Sequence, residues 1–164
     1  MDSQLKFLKL GTPKPKGIQT PMVYAGAPGS HFNPHVEENL LYSINYVFDV
    51  STSLNSLFSN RFTIQDFFQI EGTHPKHWYA LRPEHQCQFE EYIKERWPQL
   101  FSKCSNYLGH RSVMFHPELI LKEMGLPLAY GVQYPGMYAI TMGGGYHFGY
   151  NEGLNLAEVI NKMN

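Results

Sequence analysis

Cysteine is nearly absent from this chain. Of its 164 residues only Cys87 and Cys104 are cysteines, too few for a disulfide framework, so a reducing intracellular compartment is the expected setting. An excess of charge is missing too. The formal net charge is −1 and no long basic run occurs, so there is no direct signal of a nucleic-acid-binding surface. Nor is there an apolar run long enough to cross a membrane or to form the core of a signal peptide, and no membrane partner is expected. The length suits one domain with a hydrophobic core and is too short for two.

Rings and turn formers are abundant. Aromatic residues make up 15% of the chain, with 11 Phe and 11 Tyr, alongside 14 Gly and 11 Pro. That balance favours strands and a ring-lined pocket over a helical bundle. Residues 1–16 are polar and basic, with prolines at 13 and 15, and read as a leader or linker. Residues 20–25 (TPMVYA) read as a short strand and 26–30 (GAPGS) as a turn. Residues 35–48 read as one long strand, with His35, Glu37, Leu41, Ser43 and Asn45 on one face. Residues from about 48 to 73 break the rhythm and read as an insertion.

Beyond it, 77–81 (HWYAL) reads as a strand. A helix is expected from Pro83 to Trp97, with an apolar stripe of Phe89, Tyr92, Ile93 and Trp97. A short helical turn follows Pro98, a strand is expected over 111–115, and a helix over 117–124 that Gly125 ends. The last third is β again, over 130–134, 137–142 and 146–150, with a short closing element over 154–160. Strands at both ends with helices between them predict a mainly β fold, an antiparallel barrel or jelly roll carrying a helical excursion.

The chemistry centres on His35 and Glu37. Two residues apart on a strand, their side chains point to one face. An imidazole beside a carboxylate, joined by a second histidine from far along the chain, forms the facial triad of non-haem iron(II) oxygenases. His147 is the candidate for that third ligand.

Four stretches, HVEENLLYSINY, PKHWYALRPEH, QYPGMYAIT and GGGYHFGYNEGLNLAEVIN, resemble in order the blocks of JmjC domains. These are iron(II)- and 2-oxoglutarate-dependent oxygenases best known as histone lysine demethylases. The resemblance spans most of residues 17–164 and implies a double-stranded β-helix, a cupin-like barrel. It implies His35, Glu37 and His147 as iron ligands and 2-oxoglutarate as co-substrate. Asn45 and Lys76 match positions that hold the co-substrate, and Phe32 and Trp78 match aromatic positions that line it. Tyr24 matches a tyrosine bordering a methyl-lysine pocket and Asn151 a family asparagine near the site, and the resemblance implies both as substrate-binding residues. The implied partner is a histone tail or another methylated protein, and the implied location is the nucleus. The implied reaction decarboxylates 2-oxoglutarate to succinate and hydroxylates a C–H bond; on an N-methyl group the product collapses to formaldehyde and the amine.

The chain also departs from the demethylase pattern. Met22 stands where a second pocket tyrosine is usual, and Val159 and Ile160 replace two small hydroxyl residues. Trimethyl-lysine specificity is therefore not implied. Cys104 and His110 match half of a structural zinc site, whose other two cysteines would lie beyond Asn164, so a complete zinc site is not expected. A further family tyrosine and an N-terminal companion domain lie upstream of the matched blocks, and the domain is expected to be truncated at both ends. A hydroxylase of the same fold, or a non-catalytic chromatin-binding module, remain the alternative expectations.

Overall fold

The structure, a computed structural model, describes residues 21–49 and 73–162. The expected leader over 1–16 and nearly all of the expected insertion fall outside the described residues. Eight strands form in the described chain: β1 (Met22–Gly26), β2 (His31–His35), β3 (Tyr42–Val47), β4 (Lys76–Leu81), β5 (Leu128–Gln133), β6 (Tyr138–Thr141), β7 (His147–Asn151) and β8 (Asn155–Lys162). They pair into two antiparallel sheets of four, in the orders β1-β8-β3-β6 and β2-β7-β4-β5. Neighbours in each sheet are distant in sequence, as in a double-stranded β-helix, so the mainly β, jelly-roll expectation holds. Helix α1 (Gln86–Arg96) and the single turn α2 (Pro98–Phe101) form the helical excursion between β4 and β5.

The alternation of side chains along the strands divides the molecule into two chemically different interiors. In β4, Tyr79 and Leu81 point outward and pack with Tyr146 and Phe148 against Phe89 and Ile93 of α1, together with Leu108, Phe115, Ile120, Met124 and Leu126. This is the main apolar core, and it lies outside the barrel. Phe89 and Ile93 were in the stripe expected for the helix, and both are buried. The inward residues are instead largely polar. Ser43, Asn45, Lys76, Gln133, His147, Asn151 and Asn155 are all buried.

Two expectations need correction. The long strand over 35–48 is two strands in opposite sheets: β2 ends at His35, a 3₁₀ turn occupies Glu38–Leu40, and β3 starts at Tyr42. Asn39 and Leu40 both take a φ of 55° there, a left-handed conformation that no extended strand can contain. The strand over 111–115 does not form; a 3₁₀ turn at Tyr107–His110 ends in a left-handed Arg111 with φ 52°. The helix expected over 117–124 does form over residues 117–123, with Leu119–Glu123 wound as a π-type turn, and Gly125, with a φ of 65°, lies just past its end. The closing element proves larger than expected. β8 is eight residues long and sits between β1 and β3.

The region on either side of the expected insertion is well placed. The Phe48 amide donates to the Leu156 carbonyl and the His74 amide to the Leu154 carbonyl. Both flanks therefore dock within two residues of each other at the start of β8. Lys76 follows in full register between Gln133 and Asn151.

Candidate metal centre

A bulge in β2 builds the site. Phe32 pairs with Gly149 and His35 with His147, so three steps along β2 match two along β7. The extra residue falls at Asn33–Pro34, where proline has no amide to give to a ladder. Without it, Phe32 and His35 would face opposite ways. With it, both join the inward face of β4 and β7. The rungs of that face are Ala80 with His147, Trp78 with Gly149, and Lys76 with Asn151. Lys76 thus lies four residues, about 13 Å of strand, from the level of the histidines. Gly149 is needed at the middle rung, because a Cβ there would strike the His77 carbonyl and come within 2.6 Å of the Phe32 ring.

At the upper rung, ligand atoms of His35, Glu37 and His147 lie within 4.8 Å of one another. His147 Nε2 is 3.3 Å and His35 Nε2 3.6 Å from Glu37 Oε1. Each ring donates through Nδ1 to a backbone carbonyl, His35 to Asn33 at 2.7 Å and His147 to Gly145 at 3.2 Å. Those bonds orient the rings and turn both Nε2 atoms toward the carboxylate, where an Nε2–H donates to Glu37 and a deprotonated Nε2 offers its lone pair to a metal. Burial works to raise the Glu37 carboxyl, but hydrogen bonds from His147 and His35 and their charge outweigh it and hold it well below the usual carboxylate range. Two imidazole nitrogens and one carboxylate oxygen, with further positions open, suit iron(II).

The lower rung presents a cation. Lys76 is 7% exposed, yet among the described residues it has no carboxylate partner. Its ammonium donates to Asn151 Oδ1 at 2.9 Å and lies 5.1 Å from the Phe32 ring centroid and 6.0 Å from that of Trp78. Burial pulls its pKa from 10.5 to about 8. Lysines are rarely buried unpaired, and a cation in this state awaits an anion. Between the two rungs, the Phe32 and Trp78 rings meet in a tilted contact at 4.7 Å, and Trp78 is 6.3 Å from the His147 ring. From the facing sheet Asn45 points inward, with a buried Oδ1 that has no hydrogen-bond partner among the described residues. These features fit a molecule that chelates a metal at one end and carries a carboxylate at the other, as 2-oxoglutarate does.

The structure thus brings His35, Glu37, His147, Phe32, Trp78, Lys76 and Asn151 to one side of the sheet β2-β7-β4-β5, with Asn45 joined to it from the facing sheet through Gln133. It corrects how Asn45 arrives: from β3 in the opposite sheet, not from the strand of His35. Tyr24 lies on edge strand β1 opposite Ala157, half exposed. Cys104 is a free, partly buried thiol and His110 is exposed. Among the described residues, neither belongs to a cluster with metal-ligand geometry.

Three contributors escaped sequence reading. Asn161 Nδ2 donates to Glu37 Oε2 at 2.9 Å. Arg111 stands 3.9 Å from the same oxygen and 2.8 Å from Glu38. Gln133 accepts from Trp78 Nε1 at 2.8 Å and donates to the Asn45 carbonyl at 3.0 Å, tying the two sheets together at the pocket. Parity along β8 could have pointed to Asn161; nothing local distinguishes Arg111 or Gln133.

A cupin-like barrel carrying a two-histidine, one-carboxylate centre is the class that fold and site define. The family model for "JmjC domain, hydroxylase" matches residues 65–161, and the chain belongs to the JmjC domain family. His35 and Glu37 lie outside the matched range, but longer alignments include them. The chain is 35% identical over 146 residues to "Lysine-specific demethylase 4D" of Rattus norvegicus, covering 89% of this chain and 24% of that protein. It is 32% identical over 146 residues both to "Probable lysine-specific demethylase 4F" of Homo sapiens and to "Lysine-specific demethylase 4B" of Mus musculus, covering 89% of this chain and 19% and 11% of them. The chain therefore spans a quarter or less of the length of these curated relatives.

Proposed function

We propose that the chain is the catalytic domain of an iron(II)- and 2-oxoglutarate-dependent dioxygenase that demethylates methyl-lysine on histones, in the nucleus, by N-methyl hydroxylation. The observation that carries this reading is a largely buried two-histidine, one-carboxylate cluster beside a buried lysine that has no carboxylate partner among the described residues. His35, Glu37 and His147 would hold the iron, which supplies the dioxygen chemistry when bound. Asn161 and Arg111 steady the second oxygen of Glu37, leaving Oε1 to face the metal. Lys76 would bind the distal carboxylate of 2-oxoglutarate, and Asn45 would contact the co-substrate from the opposite wall. Phe32 and Trp78 exclude water along its length. Tyr24 and Asn151 were matched to the substrate side, and Tyr24 keeps that assignment.

A second reading has its own support. Met22 occupies the place of a pocket tyrosine and is 37% exposed beside Tyr24, and Val159, opposite Met22 in the ladder, is apolar. An entrance with fewer hydroxyls favours a side chain other than a quaternary ammonium, as in a protein hydroxylase. The test is succinate formation from 2-oxoglutarate with added iron(II) and methylated histone peptides, followed by mass spectrometry. Loss of methyl supports demethylation, gain of oxygen supports hydroxylation, and no turnover with no iron or co-substrate binding sinks both.

A further inference from the structure

Behind Lys76 lies a second layer of buried polar groups. Asn151 Oδ1 accepts from Lys76 Nζ at 2.9 Å and from Asn155 Nδ2 at 2.9 Å. Asn151 Nδ2 donates to Ser30 Oγ at 2.9 Å and to the Ser30 carbonyl at 3.2 Å. Both lone pairs and both amide hydrogens of the side chain are thereby engaged. Its backbone is pinned as well, with its amide on the Ser30 carbonyl and its carbonyl receiving the Gly29 amide. Asn155, fully buried, uses Nδ2 on Asn151 and on the Gly153 carbonyl at 3.4 Å. A saturated amide cannot contact a ligand without giving up one of these bonds. The Lys76 ammonium, by contrast, has three hydrogens and gives one to Asn151. Among the described residues the others have no acceptor, which leaves them for a carboxylate.

Gly26 completes the arrangement from the other sheet. A Cβ there would fall 2.6 Å from Asn155 Oδ1 and 2.7 Å from Asn151 Cγ. The pair therefore requires a bare backbone against it.

We propose that Asn151 and Asn155 are positioning residues acting in series behind Lys76, holding its ammonium where the distal carboxylate of a 2-oxo dicarboxylate docks. The proposal rests on the reading of Lys76 as the co-substrate anchor and reassigns Asn151 from substrate contact to support. It is tested on the full chain loaded with Mn(II), by calorimetry and Trp fluorescence, with 2-oxoglutarate and with 2-oxopentanoate, which lacks the distal carboxylate. Asn151→Ala weakens 2-oxoglutarate about tenfold, the lower end of what loss of a supporting bond costs a ligand site, and leaves 2-oxopentanoate and Mn(II) affinities unchanged. Asn155→Ala acts in the same direction, and the double variant is no worse than Asn151→Ala alone.

Equal weakening of both acids, or an additive double variant, overturns the proposal. If Asn151→Ala does not fold, Gly26→Ala decides by the same comparison, because it displaces the pair without removing a hydrogen-bonding group. Lys76→Met separates the two layers of argument. If the wild type does not prefer 2-oxoglutarate, or Lys76→Met keeps that preference, the reading of Lys76 falls and the proposal with it. If Lys76→Met abolishes the preference and Asn151→Ala leaves it intact, the proposal alone falls.

Discussion

Histidine rings whose Nδ1 atoms already serve backbone carbonyls have a single nitrogen left to offer, and in His35 and His147 that nitrogen faces Glu37. Replacing His147 by Ala removes one of three donors and leaves Glu37 with a weaker set of partners in a buried place. Mn(II) affinity, read by electron paramagnetic resonance, should fall by more than the ~10–100-fold typical of losing an outer-shell partner. Lys76 gives a pH signature of opposite origin. Its charged form binds a dicarboxylate, and burial lowers its pKa to about 8. Affinity for 2-oxoglutarate should be complete below that pH and decline as pH rises through it, because the proton that leaves carries the binding charge. 2-Oxopentanoate should show no such decline, and calorimetry across that range checks both.

Among the elements, the sheet β2-β7-β4-β5 does two jobs with its two faces: one carries the site and the other lies on the helical layer. Gly149 shows how little room the inner face has. Gly149→Ala would press on the His77 carbonyl and the Phe32 ring and should cost about 2–3 kcal/mol, as overpacking does, measured by urea unfolding. On the outer face, Ile93 is fully buried among Phe89, Ile120 and Phe148. Ile93→Ala should cost ~2–5 kcal/mol through lost burial and the cavity left behind. Metal affinity of the fraction that stays folded should be unaltered, since Ile93 lies on the far side of the sheet from the ligands.

For the molecule as a whole, the decisive contacts close the barrel: Gln133 to Asn45 and Asn155 to Asn151 between the sheets, and Asn161 to Glu37 just beyond the end of β2. The flanks of residues 50–72 dock two residues apart, on Leu154 and Leu156 at the start of β8, so closing the chain there is topologically inexpensive. Loop-closure cost grows only slowly with length. Replacing 50–72 by a short glycine-rich turn should leave Mn(II) and 2-oxoglutarate affinities within about twofold of the parent chain, and a larger loss would show that the segment supports the pocket.

The amino-acid sequence by itself determined the ligand types, the strand character of most β elements, the apolar stripe of α1 and the glycine that ends the π-type turn, because each is a local matter of side-chain chemistry, periodicity or backbone freedom. The inward parity of Asn45 was legible for the same reason, although the strand that carries it was not. Only the tertiary structure decided that His35 and Asn45 stand in opposite sheets, since the break at Asn39 and Leu40 has two non-glycine residues in a left-handed conformation that no local pattern announces. The bulge at Asn33–Pro34, which turns Phe32 and His35 to one side, shows itself only against β7. Gln133, Asn161 and Arg111 reach the site from afar, and the depressed pKa of Lys76 comes from burial. Those are properties of the closed barrel, where residues far apart in the chain exclude water together.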